Sequence, residues 1–253
     1  MPLRGKMKHC FILPEQIKQH KVVLSGSEAV YVTRVLRLRP GDALIVSDGQ
    51  GKSYRIRLSR LTKEVEGVIE EEIFFNAEPS VQITLVQSLP KSDKMEMIIQ
   101  KCTELGVQEI IPLKANRSII KLTGEKLKQR VQRWERVAIE AAKQCQRVKV
   151  PRVSEPMFLE NILTAMPPQA KGIMPWEEER RVSFRQVLKK TKEKKIFLFI
   201  GPEGGFEQKE VTLAKKYNVV TVSLGKRILR TETAALATVT MILYEFGDLG
   251  EWV

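Results

Sequence analysis

Apolar and polar positions change rhythm along the chain. Near the start the rhythm is that of strands. Val30-Tyr-Val-Thr33 is a β-branched and aromatic cluster, Ala43-Leu-Ile-Val-Ser47 is a short apolar strand, and Ser53-Tyr-Arg-Ile-Arg-Leu58 alternates polar with apolar as a half-exposed strand does. Arg39-Pro-Gly-Asp42 and Asp48-Gly-Gln-Gly51 supply the turn chemistry between them. Residues 1–75 therefore read as a small β-rich domain. The boundary is placed where the polar run Glu70-Glu-Glu72 gives way to Pro79, leaving 76–253 as a second domain.

Past the boundary, strands alternate with helical patterns. Val81-Gln-Ile-Thr-Leu-Val-Gln87 reads as a strand. Asp93, with Glu96 three residues on, can cap a helix that turns Ile98, Ile99, Cys102 and Leu105 inward and stops at Gly106. Ile110-Ile-Pro-Leu113 is a second strand. Leu127, Val131, Trp134, Ala138, Ala141 and Cys145 then recur at helical spacing. Lys128, Arg133, Arg136, Lys143 and Arg147 fall largely outside that stripe and read as a solvated face or an RNA contact. Residues 151–168 read as a loop and a helix. Lys171-Gly-Ile-Met-Pro-Trp176 is a short strand entering a turn, and Glu177-Glu-Glu-Arg-Arg181 a solvated charge run. Ile196-Phe-Leu-Phe-Ile200 is wholly apolar, so it predicts a strand buried on both faces; Val219 to Leu224 predicts another. A surface helix over 207–217 separates them. A last helix from Thr231 to Phe246 is rich in Ala, Thr, Leu and Met, and its weak amphipathicity predicts burial. This alternation predicts a parallel α/β sheet.

Both late strands end in glycine loops, Gly201-Pro-Glu-Gly-Gly205 and Leu224-Gly225. Glycines let backbone N–H groups approach a ligand, and open α/β sheets bind ligands at the carboxyl ends of their strands. Tight turns alone would give the same pattern. No GxGxxG follows a strand and no GxxxxGK[ST] occurs, so neither a dinucleotide fingerprint nor a P-loop is supported.

The 253 residues carry 43 Lys and Arg against 30 Asp and Glu, a formal charge of +13, which favours a polyanionic partner over an indifferent basic surface. Three cysteines, Cys10, Cys102 and Cys145, without close spacing, argue against a disulfide framework or a zinc site and fit a reducing cytosol. Two histidines, His9 and His20, leave little material for a metal site, and a metal-dependent hydrolase is disfavoured. No h-region follows the basic N-terminus and no apolar run approaches the ~20 residues of a membrane span, so neither signal peptide nor membrane partner is expected.

The specific words narrow this further. Gly201-Pro-Glu-Gly-Gly205 followed by Leu224-Gly-x-x-Ile-Leu-Arg-Thr-Glu-Thr-Ala234 resembles the RsmE-type family of 16S ribosomal RNA uridine-N3 methyltransferases, of the SPOUT class. Lys101-Cys-Thr-Glu-Leu-Gly-Val107, Trp134-Glu-Arg-x-x-x-Glu-Ala-Ala-x-Gln144 and Val35-Leu-Arg-Leu-Arg-Pro-Gly-Asp42 look like it too, so the resemblance runs nearly end to end. It implies an α/β fold, a SPOUT-type trefoil-knotted parallel-sheet methyltransferase domain, preceded by a small PUA-like β-barrel that helps hold RNA. It also implies a cytoplasmic homodimer, S-adenosylmethionine as methyl donor, and 16S rRNA or the small ribosomal subunit as partner. Arg34, Arg37 and Arg39, which by themselves could also be a solvated face, then become RNA contacts, with Arg4 and Lys8. The family usually carries an arginine just before the phenylalanine of its opening strand, where this chain has Cys10-Phe11, and Arg4, Lys6 and Lys8 are the nearby charges. Met174-Pro175-Trp176 is implied at the first of three donor-lining loops, and Gly201, Glu203, Gly204, Leu224, Gly225, Ile228 and Leu229 at the other two.

Uracil N3 is a poor nucleophile until its proton leaves, so a site for this chemistry must stabilise an anion or accept a proton. Arg230 is the candidate for the anion or for a phosphate. Glu232 is either a general base or a helix-terminal carboxylate. Thr231 is a cap or a donor in the site, and Glu203 orients substrate or satisfies loop amides. Two other readings use the same residues: a SPOUT methyltransferase acting on ribose or transfer RNA, and an RNA-binding assembly factor without turnover.

Overall fold

The computed structural model describes residues 8–12, 14–74, 78–91, 94–118 and 124–250. Its contacts divide the chain into two units: one takes 1–78 with 142–150, the other 79–141 with 151–253. The segment 142–150 therefore joins the first unit from far along the chain.

In the first unit, β1 (His9–Phe11), β2 (Ile17–Lys18), β3 (Lys21–Leu24), β4 (Ala43–Ser47), β5 (Ser53–Leu61) and β6 (Val65–Ile73) form one sheet in the order β1-β4-β5-β6-β3-β2. Only β1–β4 is parallel. Period-two alternation sends Leu44, Val46, Ile56, Leu58 and Val65 into a core shared with Val22 and Leu24. The Asp48–Gly51 connection joins β4 to β5 as expected, with Asp48 Oδ1 accepting the Gln50 and Lys52 N–H groups at 2.8 and 3.0 Å. The Val30–Thr33 cluster is helical instead of extended. It spans the junction of α1 (Gly26–Val30) and a π-helical turn (Tyr31–Val35). Ala29 and Val32, three apart, are both buried, and the Thr33 hydroxyl donates back to the Ala29 carbonyl at 2.7 Å. Burial of one helical face here outweighs β propensity.

The second unit places β7 (Gln82–Ser88), β8 (Glu109–Lys114), β9 (Arg152–Val153), β10 (Met157–Phe158), β11 (Lys171–Pro175), β12 (Lys195–Ile200) and β13 (Val219–Val222) in one sheet. All its pairings are parallel, in the order β10-β8-β7-β12-β11-β13, with β9 also on β8. The connecting helices are α2 (Lys94–Leu105), α3 (Gly124–Gln144), α4 (Leu159–Ala165), α5 (Phe184–Lys190), α6 (Gln208–Lys216) and α7 (Thr231–Glu245). The patterning reads all of these except α5, whose two buried residues, Phe184 and Leu188, are too few to announce a helix. Val86, Ile111, Leu113, Met174 and Phe199 share one core with Leu159 and Ile162 of α4 and Val211 and Ala214 of α6. Their strand neighbours Leu85, Ile110, Ile173 and Leu198 are buried on the opposite face. There α7 touches β7 and β12 and packs on α2. Asp93 lies outside the described residues, and its expected partner Glu96 instead binds Arg133, Oε2 accepting from Nη2 at 2.8 Å.

Candidate active site

Three neighbouring strands, β12, β11 and β13, end at one edge of the second unit's sheet, and the loops leaving them close around a cavity of about 480 Å³. That size lies within the roughly 300–1,000 Å³ of small-molecule clefts. Pro175, Trp176, Glu177 and Arg180 come from the first loop, residues 200–206 from the second, and residues 223–231 from the third, with Ala234 of α7 behind them.

The first loop is held by a carboxylate. Glu179 Oε1 accepts the N–H groups of Arg181 and Val182 at 2.9 and 3.2 Å, and Oε2 accepts the Thr221 hydroxyl at 2.8 Å. The Arg181 N–H does most to hold this carboxyl below its ordinary range, against partial burial that raises it; Thr221, Val182 and Lys215 add to the lowering. Reading 177–181 as a solvated charge run therefore fails at Glu179, while Glu177, Glu178, Arg180 and Arg181 are exposed. Glu179 ties the loop to β13, and Glu177 and Arg180 line the cavity. A charge run in sequence does not reveal that backbone amides will turn to meet one of its members.

The second loop is clamped from outside. Glu203 Oε1 accepts the Lys91 N–H at 3.0 Å and lies 3.8 Å from Lys94 Nζ. Arg117 donates to the Gly204 carbonyl at 2.7 Å. Gly205 has φ +68°, which calls for glycine, and the Glu177 carboxylate of the first loop lies against it. Of the two readings of Glu203, satisfying loop amides is the one its contacts fit.

At the third wall, Thr231 is buried and its hydroxyl donates to the Gly201 carbonyl at 2.7 Å while accepting from Gln87 Nε2 at 2.9 Å. Arg230, the N-cap of α7, is exposed and lines the cavity. Glu232 is not among the lining residues. It accepts from Lys94 Nζ at 3.2 Å, and that same ammonium reaches Glu203. Burial pushes the Glu232 carboxyl upward, but its own N–H, Lys94 and Arg230 outweigh that and hold it below the ordinary range. Such a carboxylate is a weak base.

The cavity thus brings together Pro175, Gly201, Glu203, Gly204, Leu224, Gly225, Ile228, Leu229, Arg230 and Thr231. Met174 is in the core instead, fully buried on β11 one residue before the loop. Gln87 and Lys94 go unread in the sequence because their partners lie far along the chain, Thr231 being 144 residues from Gln87 and Glu232 being 138 from Lys94. Leu224, Leu229 and the 88% exposed Ile228 offer an apolar wall, and the bare glycines offer backbone groups, which fits a nucleoside-bearing donor. Among the described residues no group of three or more His, Cys, Asp or Glu could hold a metal ion, and no helix is long and apolar enough to cross a membrane.

In the first unit Arg34, in the π-turn, and Arg37 and Arg39, on the segment that leaves it, are all exposed, with Arg37 at φ +52°. The Arg39 N–H donates to Asp42 Oδ2 at 2.7 Å, and the Lys8 ammonium donates to the Leu36 carbonyl. Arg4 lies outside the described residues. Cys10 is fully buried, and burial raises its thiol well above the usual range, so a charged residue would fit poorly at this position. Of the basic residues flanking the α3 stripe, Arg147 is no solvated cation. It is buried against Glu78, with Nη2 2.6 Å from Oε2.

A parallel sheet with three converging loops, joined to a small β-rich unit, matches two family models: an RNA methyltransferase domain over residues 77–243 and an RNA methyltransferase PUA domain over 24–70. Fold and site thus define an RNA methyltransferase with a PUA domain. The chain is 34% identical over 228 residues, 88% of its length and 89% of the relative's, to the ribosomal RNA small subunit methyltransferase E of Bacillus subtilis (strain 168). It is 34% identical to that of Synechocystis sp., over 96% of this chain and 82% of the relative. A crystal structure of ribosomal RNA small subunit methyltransferase E from Neisseria gonorrhoeae bound to S-adenosyl methionine superposes with TM-score 0.81 at 33% identity, covering 93% of this chain and 96% of that one. A putative methyltransferase from Legionella pneumophila in complex with the bound cofactor SAM gives 0.78 at 28%, over 94% and 97%. The chain belongs to the ribosomal RNA small subunit methyltransferase E family.

Proposed function

We propose that this protein methylates N3 of a uridine in 16S rRNA of the small ribosomal subunit, using S-adenosylmethionine. The observation that carries the reading is the convergence of the three loops on one cavity with glycine backbone, an apolar wall and Arg230 together. Gly201, Gly204, Leu224, Gly225, Ile228 and Leu229 would hold the donor, with Pro175 at the first loop. Met174 would serve by setting that loop's origin from the core. Bound there, S-adenosylmethionine supplies an activated methyl group with its own leaving group. The chain's work is then positioning and electrostatics. Arg230 holds the negative charge that grows on the uracil as its N3 proton passes to solvent water. Thr231 fixes the start of α7 against the Gly201 loop. Glu232 is a holding carboxylate for Lys94 and gives up no cavity position to act as a base.

The SPOUT trefoil knot, the barrel form of the first unit, a homodimer and the cytoplasm belong to the same reading. The exposed Met241 and Tyr244 of α7 are the apolar residues a second subunit would cover. Arg34, Arg37 and Arg39 would position the RNA. Incubation with methyl-labelled donor and small subunits lacking the modification should yield labelled 3-methyluridine. A labelled ribose or no transfer, under conditions where the donor binds, counts against the proposal.

A further inference from the structure

Three cations at the mouth of the cavity have no partner among the described residues. Arg180 on the loop after β11, and Lys226 and Arg227 on the loop after β13, line the cavity and are exposed. Their side chains make no hydrogen bond or ion pair among the described residues. Arg230 adds a fourth positive charge, and the N-terminus of α7 adds partial charge of the same sign. Of the two carboxylates in the lining, Glu203 is engaged by Lys91 and Lys94, and Glu177 offsets one of the four positive charges, leaving a cationic excess.

This excess is ill suited to the donor. S-adenosylmethionine carries a sulfonium and an ammonium against one carboxylate, so it is a net cation, and extra unpaired cations repel it. They favour a polyanion. We propose that Arg180, Lys226 and Arg227 form a rim on the methyl-transfer unit itself that grips RNA phosphates flanking the target nucleotide. This rests on the reading that the cavity methylates RNA. Arg180 and Arg227 can each take a phosphate through two N–H groups, and Lys226 acts as a point charge. Such contacts fix register without reading sequence. They also hold the strand while the target base leaves its stack to reach the cavity.

The test is the salt dependence of binding to small ribosomal subunits lacking the modification, for the full chain and for Arg180→Ala, Lys226→Ala, Arg227→Ala and the triple variant. Each substitution should make the slope of log affinity against log salt shallower by roughly 0.7 to 0.9. The Michaelis constant for the subunit should rise, kcat at saturation should hold, and donor affinity by calorimetry should stay level or tighten at low salt. Arg227→Lys should retain the slope. An unchanged slope, or a loss of donor affinity parallel to that of RNA, overturns the rim. Should the unaltered protein bind subunits with the expected slopes yet transfer no methyl group, the proposed reaction fails while the rim stands.

Discussion

Gln87 and Thr231, 144 residues apart, form a one-way hydrogen-bond chain beneath the cavity. Gln87 Nε2 donates to the Ser88 carbonyl and to Thr231 Oγ1, both at 2.9 Å. A carbonyl can only accept, so the amide's orientation is fixed. Thr231 must therefore accept from Gln87 and turn its own proton to the Gly201 carbonyl, 2.7 Å away. The end of β7, the start of the Gly201 loop and the start of α7 are locked together.

Gln87→Leu should break this chain and leave Thr231 free to rotate. An unmade buried hydrogen bond costs about 1–3 kcal/mol, so donor affinity should fall roughly tenfold. Thr231→Val should do the same, Thr231→Ser should keep most of the affinity, and the Gln87→Leu/Thr231→Val double variant should lose little more than either alone. Titration calorimetry with S-adenosylmethionine reads all four, and additive losses would contradict a shared chain.

Glu179 makes a pH prediction. Its carboxyl is held below the ordinary range in the folded protein, chiefly by the Arg181 N–H. A depressed folded-state value contributes stability that is present above the unfolded value, about 4.3 for glutamate, and is lost as pH falls through the folded one. The gap in melting temperature between the unaltered protein and Glu179→Gln should stay constant from pH 8 to 5 and close as pH drops below about 4. A gap that persists in acid would show that the carboxylate's charge is not what holds the loop.

The strands and the glycine loops were legible because each is a local property. An apolar run such as 196–200 can only be a buried strand here, and Gly201 to Gly205 can only be a bend. Which residues brace those bends was not legible. Gln87, Lys94 and Arg117 meet the second loop and α7 through tertiary contacts that no spacing encodes. Glu179 and Arg147 misled for the same reason. A charged residue in a charged stretch reads as solvated, yet one gathers two amides and a hydroxyl, and the other is buried against Glu78.

That second pair carries a stability prediction for the first unit. The Arg147 and Glu78 side chains are 3% and 8% exposed, and Glu78 also accepts the Lys149 N–H at 3.2 Å. Arg147→Met leaves a buried carboxylate without its cation, which typically costs about 3–5 kcal/mol. Pairing it with Glu78→Gln removes the stranded charge and should recover a good part of the loss. Denaturant unfolding of the two variants checks this, and equal destabilisation would mean that the arginine's packing matters more than its charge.

Arg230 separates binding from chemistry. Its side chain is at the cavity and exposed, its backbone caps α7 with extended geometry, and no hydrogen bond holds the side chain among the described residues. Alanine keeps the same backbone conformation, so Arg230→Ala should leave the Thr231–Gly201 contact and the donor-holding glycines in place. In the proposed role, the growing charge on the uracil then loses the cation assigned to it. Removing one such preorganised donor typically costs about 100- to 1,000-fold in kcat. Donor affinity should change by less than about threefold, and by calorimetry it should tighten if anything, because one repelling cation is gone. Arg230→Lys, which keeps the charge but not the planar fork, should fall between. Equal losses in donor affinity and in turnover would place Arg230 in the donor site and leave the uracil anion to be held by some other group.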